Sequence, residues 1–196
     1  DRFAPVDMET VPLEHAAGRY LAEAVPTDRA SPPSDVSAMD GFAVRRADLT
    51  AGHLPIAGAV AIGRPAPALP PGAALRIVTG ACVPAGADAV LMHEDVTEND
   101  GQISIARQIQ ASASPGWHIR ATGENAPAGQ QVLSTGQQIG APAAAALAAF
   151  GRPSVRVYRR LRVAVLTTGD ELLRPADQPA PWQIRDSNGP ALHALL

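Results

Sequence analysis

There is no lysine anywhere in these 196 residues; all 16 basic side chains are arginine. That removes a Schiff-base amine and the lysine of a phosphate-binding loop from the chemistry open to the chain. Cysteine occurs once, as Cys82, so an internal disulfide and a cysteine-rich zinc site are both excluded. Aromatic residues make up only 4%, too few for a base-stacking platform, and the net charge of −3 comes without a basic block. Nucleic acid is therefore not an expected partner. No apolar run reaches the roughly 18 to 20 residues that span a bilayer. The acidic start DRFAPVDMET has no signal-peptide pattern. No membrane association is expected, and the expected compartment is the cytoplasm.

What the chain does have is 46% hydrophobic residues, 19 prolines and 17 glycines. This composition suits a globular protein of one or two domains, built from short elements and many turns. PLEHAAG reads as a short helix closed by Gly18, and RYLAEAV as an extended run towards Pro26. From about Ala51 to Arg120, short apolar runs separated by Pro/Gly turns (HLPIAGAVAIG, ALRIVTG, DAVLMHEDV, GQISIARQI) predict a compact β-rich domain. APAAAALAAFG is a small-residue helix with glycine at its end. The character then changes. SVRVY predicts a strand, and RLRVAVLTTGDEL predicts a continuous apolar strand buried on both faces, as in a parallel sheet. DSNGPALHALL follows as a helix with Ser187 or Asn188 as N-cap. One strand and one helix cannot bury both faces of that strand by themselves.

Three segments carry candidate chemistry. In SAMDGFAVR, Asp40-Gly41 taken alone is a turn before a strand. The flanking apolar anchors make it a carboxylate on a held loop, suited to ligate a metal or orient a polar substrate. In RIVTGACVPAGADAVLMHED, turns at Gly80 and at Gly86 to Asp88 account for the glycines. They do not account for the hydroxyl of Thr79 at a strand end, a position that often faces a cleft. Glu94 and Asp95 read as a solvated edge. In VAVLTTGDELL, Thr168, Gly169, Asp170 and Glu171 stand where ligands of open α/β sheets sit, beyond a strand's carboxyl end. The bland account has Asp170 or Glu171 supporting a helix N-terminus. The five histidines show no paired metal spacing and read as surface or satisfied core residues. Arg156, Arg159, Arg160 and Arg162 read as a solvated face. Ser34 and Ser37 near Asp35 form no recognisable Ser/His/Asp arrangement.

SAMDGFAVR, RIVTGACVPAGADAVLMHE and VAVLTTGDEL…QIRDSN, in that order, resemble the MoeA-type molybdopterin molybdenumtransferases and the related domain of gephyrin. LEHAAGRYLAEAV and GENAPAGQQVLSTGQQIGAPAAAALAAFG extend the resemblance over nearly the whole chain. It implies a multi-domain α+β fold. Residues 1–25 and 123–155 would form an elongated linker and dimerisation domain. Residues 26–122 would be a β-rich domain inserted in it, and 156–196 the start of an α/β (MogA-like) domain. The implied activity inserts molybdate into adenylylated molybdopterin and releases AMP, with Mg²⁺ assisting. Asp40, Thr79 and Glu171 are the implied catalytic residues, Asp40 and Glu171 the metal ligands, and Gly41, Gly80, Gly169 and Asp170 the cofactor-binding positions. The implied partners are a second copy, whose Glu171 would face Asp40 and Thr79, and a molybdopterin adenylyltransferase upstream. Asn125 departs from the family's Gly-Glu-Asp, which removes a carboxylate there. The fragment is expected to be inactive alone. A non-catalytic scaffold or dimerisation module is the alternative.

Overall fold

Strand formation follows the alternation of apolar residues closely in the middle of the chain. The structure, a computed structural model, describes residues 6–196; the opening DRFAP lies outside the described residues. In chain order the first strands are β1 (Met8–Pro12), β2 (Val25–Pro26), β3 (Val36–Ser37), β4 (Gly41–Val44), β5 (His53–Ala59), β6 (Ala74–Ile77), β7 (Ala89–Met92), β8 (Val96–Asn99) and β9 (Gln102–Ile105). Helix α1 (Arg107–Ser112), β10 (Ile119–Arg120), β11 (Gln131–Leu133), helix α2 (Ala141–Ala149) and β12 (Ser154–Tyr158) come next. The chain closes with β13 (Leu172–Leu173), β14 (Ile184–Arg185) and helix α3 (Asn188–Leu195). PLEHAAG makes only a 3-10 turn, Leu13–His15, although Gly18 does adopt the left-handed φ of 75° expected of a closing glycine.

Six strands form one sheet in the order β7-β4-β6-β5-β9-β8. All neighbours are antiparallel except β5 and β6. Every residue of β4 is buried, because strands flank it on both edges and side chains cover both faces. The period of two sorts those side chains. Phe42 and Val44 pack with Leu49, Leu54, Leu91 and Ile103 on one face. Ala43 packs with Val60, Leu69, Leu75, Ile77 and Val90 on the other. The pairing Phe42↔Leu91 and Ala43↔Val90 keeps the two sets on their own sides. This is the β-rich region the turn spacing predicts.

A second core unites the two flanks of that region. β1 pairs with β12 and β2 with β11, both antiparallel. Leu21, Val25, Leu133, Ile139, Leu147, Val155 and Val157 pack together there. Ala143 and Leu147, one turn apart on α2, supply the helix's buried face. Pro142 opens α2, and Gly151, with φ 67°, donates to the carbonyl of Ala148 at its close.

The expected strand over RLRVAVLTTGDEL does not form. Residues 159–169 carry no regular structure, and Leu161, Val163 and Leu166 are 72%, 52% and 85% exposed. The physical reason is the one anticipated from topology: a buried parallel strand needs neighbours on its edges and cover on its faces, and the described residues supply neither. What forms instead is the small parallel pair β13 with β14. The cap of α3 differs as well. Ser187 stands at the N-cap but its side chain makes no capping bond; the carboxylate of Asp186 accepts from the Gly189 N–H at 2.9 Å.

Candidate functional site

Asp40 occupies the last position before β4, and the glycine beside it has a steric cause. β7 runs so close that a Cβ on Gly41 would lie 1.9 Å from the backbone oxygen of Leu91 and 2.9 Å from its carbonyl carbon. Only glycine admits that approach. The carbonyl of Asp40 then accepts from the His93 N–H at 3.1 Å, locking the loop to the end of β7. Three residues earlier, Ser37 tightens the loop: its hydroxyl donates to the Met39 carbonyl at 2.6 Å.

Thr79 meets Asp40 from the neighbouring turn. Its backbone N–H and its hydroxyl both donate to Asp40 Oδ1, at 2.7 and 2.8 Å. Gly80 makes that turn possible: it adopts φ 82° and donates its N–H to the Ser37 carbonyl at 2.8 Å, while Ala81 closes onto Val78. The backbone donor of Thr79, and next its hydroxyl, hold the Asp40 carboxyl below the ordinary aspartate range. Asp40 is thus an exposed, ionised carboxylate with one oxygen doubly bonded and Oδ2 accepting no hydrogen bond among the described residues.

An open cleft of about 270 Å³ surrounds it, lined by Met39, Asp40, Thr79, Met92 and Glu94. The structure therefore brings together Asp40, Gly41, Thr79 and Gly80. It adds Glu94, which the sequence reading placed on a solvated edge. Antiparallel pairing is the reason: Gly41 faces Met92, so whatever follows β7 arrives beside whatever precedes β4. That strand-end rule was the signal available for Glu94.

Glu171 does not line this cleft within one chain. Its carboxylate lies back over Gly169, 2.6 Å from where a Cβ on that glycine would stand, and its carbonyl accepts from Ile184. Glu171 precedes β13 rather than a helix, so it supports no helix N-terminus. Asp170, beside it, is exposed. Asn125 serves a structural end: its side-chain oxygen accepts from Arg120 at 2.6 Å, and the same guanidinium reaches Glu124 at 3.2 Å. Among the described residues no three His, Cys, Asp or Glu side chains gather as a metal cage. The cleft's own donors are hard carboxylate oxygens, Asp40 with Glu94 nearby. Such a set fits a magnesium ion that keeps water and substrate oxygens for its remaining positions.

A mixed-sheet protein with an ionised carboxylate and a hydroxyl presented at adjoining strand ends is the class these features define. Residues 1–151 match the MoeA N-terminal region (domain I and II), and the chain belongs to that family. It is 39% identical over 195 residues to the molybdopterin molybdenumtransferase of Haemophilus influenzae, covering 98% of this chain and 47% of the relative. It is 40% identical over 198 residues to the enzyme of the same name from a Nostoc species, covering 97% and 44%. A solved molybdopterin biosynthesis MoeA protein from Pyrococcus horikoshii superposes with a TM-score of 0.86 at 32% identity, over 96% of this chain and 51% of that one. The chain spans about half the length of the curated relatives it matches. No described helix is long and apolar enough to cross a membrane.

Proposed function

We propose that this chain is the N-terminal part of a molybdopterin molybdenumtransferase of molybdenum cofactor biosynthesis, acting in the cytoplasm. The reaction is insertion of molybdate into adenylylated molybdopterin with release of AMP. The observation that carries the reading is the Asp40–Thr79 pair, two hydrogen bonds on one carboxylate oxygen at the floor of an open cleft. It rests as well on the curated relatives, named molybdopterin molybdenumtransferase at 39% and 40% identity. Residues 1–25 with 123–155 act as the linker and dimerisation domain, 26–122 as the inserted β domain, and 156–196 as the start of the α/β domain.

Each cleft residue has a role on this reading. Asp40 holds Mg²⁺, with Glu171 of a second copy as the other carboxylate; a bound Mg²⁺ supplies charge neutralisation at the phosphoryl anhydride. A bare carboxylate would repel both molybdate and a nucleotide, so Asp40 acts through the cation rather than on the anions directly. Thr79 orients Asp40 and keeps it ionised. Gly80 and Gly41 shape the backbone around the substrate, and Gly169 with Asp170 do so from the α/β side. The protein works as a homodimer and receives its nucleotide substrate from a molybdopterin adenylyltransferase. The 196 residues alone do not turn over.

Calorimetric titration with AMP, with and without Mg²⁺, tests this at the level of binding. Mg²⁺-dependent AMP binding that is lost in Asp40→Asn is the expected result. Undiminished Mg²⁺-dependent binding in that variant would overturn the cation role. Asn125, an amide bound by Arg120 where the family carries a carboxylate, favours a second reading, a dimerisation or scaffold module; absence of AMP binding under both conditions would select it.

A further inference from the structure

The loop that carries Asp40 is held from behind by an unusual residue. His118 adopts φ 56°, one of two described non-glycine residues in the left-handed region, a conformation that disfavours most side chains. Its carbonyl accepts the Ala38 N–H at 2.8 Å, and the next residue, Ile119, pairs with Ser37. The backbone at His118 therefore sets the position of the segment that enters Asp40.

The side chain explains how that backbone is held. Trp117 Nε1 lies 2.6 Å from His118 Nε2, and His118 Nδ1 lies 3.1 Å from the Val90 carbonyl. An indole N–H only donates and a carbonyl only accepts. The ring is therefore the neutral tautomer with its proton on Nδ1, accepting from Trp117 and donating to Val90. Val90 belongs to β7, an edge of the six-stranded sheet, and its N–H donates to the Trp117 carbonyl at 2.9 Å. Trp117 itself packs against the Phe42 core. The imidazole thus rivets the loop support to the sheet edge and the core together.

We propose that His118 is a positioning residue for the Asp40 loop, acting through its neutral imidazole bridged between Trp117 and Val90. Imidazolium would set two N–H donors face to face at the 2.6 Å contact with Trp117, so the bridge exists only in the neutral form. The charged groups on the surrounding elements are engaged elsewhere. Asp88, before β7, accepts from the Arg46 N–H. His93 and Glu94 lie beyond the far end of β7, and Arg120 on β10 binds Glu124 and Asn125. On the loop, Asp35 accepts from Thr122 and Asp40 from Thr79. No carboxylate among the described residues forms an ion pair with the His118 ring.

The importance of the loop for substrate rests on the functional reading above, but the test does not use substrate. In the Trp182→Phe background, which leaves Trp117 as the single indole, Trp117 emission is compared at neutral pH between the parent and the His118 variants. Hydrogen exchange at the Ala38 and Thr79 amides is measured under the same conditions and corrected for intrinsic rates. In His118→Gln a changed Trp117 emission is expected, together with a roughly tenfold loss of protection at both amides. His118→Asn, which suits the left-handed backbone but cannot span Trp117 and Val90, keeps the fold and shows the same loss. Emission and amide protection in both variants matching the parent would overturn the proposal. Failure of AMP binding would bear on the functional reading alone.

Discussion

At the scale of single residues, the site is a matter of close approaches and counted donors. Gly41 is there because β7 occupies the space a side chain would need. The obstruction is backbone rather than the end of a flexible side chain, so the strands must separate to relieve it. Gly41→Ala is therefore expected to cost at least the upper end of the ~1–3 kcal/mol typical of overpacking. Chemical denaturation reads the loss, and stability equal to the parent would show that β4 and β7 part more easily than their register implies. Asn125 makes the opposite point. A family difference that removes a carboxylate looks like a lost ligand in the sequence, yet the amide oxygen is occupied by Arg120. An aspartate would accept the same bond with more charge, so the exchange leaves the local scaffold in place.

At the scale of elements, three loops share one device, an aspartate accepting from a backbone N–H and a nearby hydroxyl. Asp40 takes both donors of Thr79, Asp35 takes both donors of Thr122, and Asp186 takes the Gly189 N–H and the Thr167 hydroxyl. In each the backbone donor is the main cause of a carboxyl held below its ordinary value. A group with a depressed folded-state pKa stabilises above its unfolded value of about 3.9, and that contribution fades as pH falls through the folded value. Thermal stability should hold steady through neutral pH and decline once pH drops below about 4. Thr79→Val and Thr122→Val, which remove one donor each, should shrink the acid-sensitive part. An acid limb of unchanged size in both variants would place the effect on other carboxylates.

The whole molecule divides into well-covered sheets and an uncovered stretch. Both cores are closed by residues from distant parts of the chain: β1 with β12 for one, and the six-stranded sheet for the other. Between Tyr158 and β13 nothing of the kind happens. Arg159, Arg160 and Arg162 are exposed, and among the described residues no N–H of residues 160–168 donates to a backbone carbonyl. Because the chain has no lysine, trypsin depends on arginine alone. Limited digestion should therefore cut first between Arg159 and Val163, releasing a body that ends near residue 160 and resists further cleavage. Mass spectrometry of the early products checks this; first cuts within β4 to β9 would show that the six-stranded sheet is the weaker part.

The amino-acid pattern by itself determined the β-rich middle, the α2 helix with its closing glycine, and the placement of Asp40 and Thr79 at the ends of apolar runs. These rest on short-range physics: alternation, propensity, and a polar residue at the end of an apolar run. Tertiary structure alone decided the rest. It made Asp40 and Thr79 a hydrogen-bonded pair, carried Glu94 into their cleft through the β4–β7 register, and left Glu171 apart from them within one chain. It also denied RLRVAVL a strand, since an apolar run becomes a strand only where neighbours accept its backbone hydrogen bonds. His118 shows the same division: its letter says only imidazole, and its tautomer and backbone were set by an indole and a carbonyl that folding placed on either side.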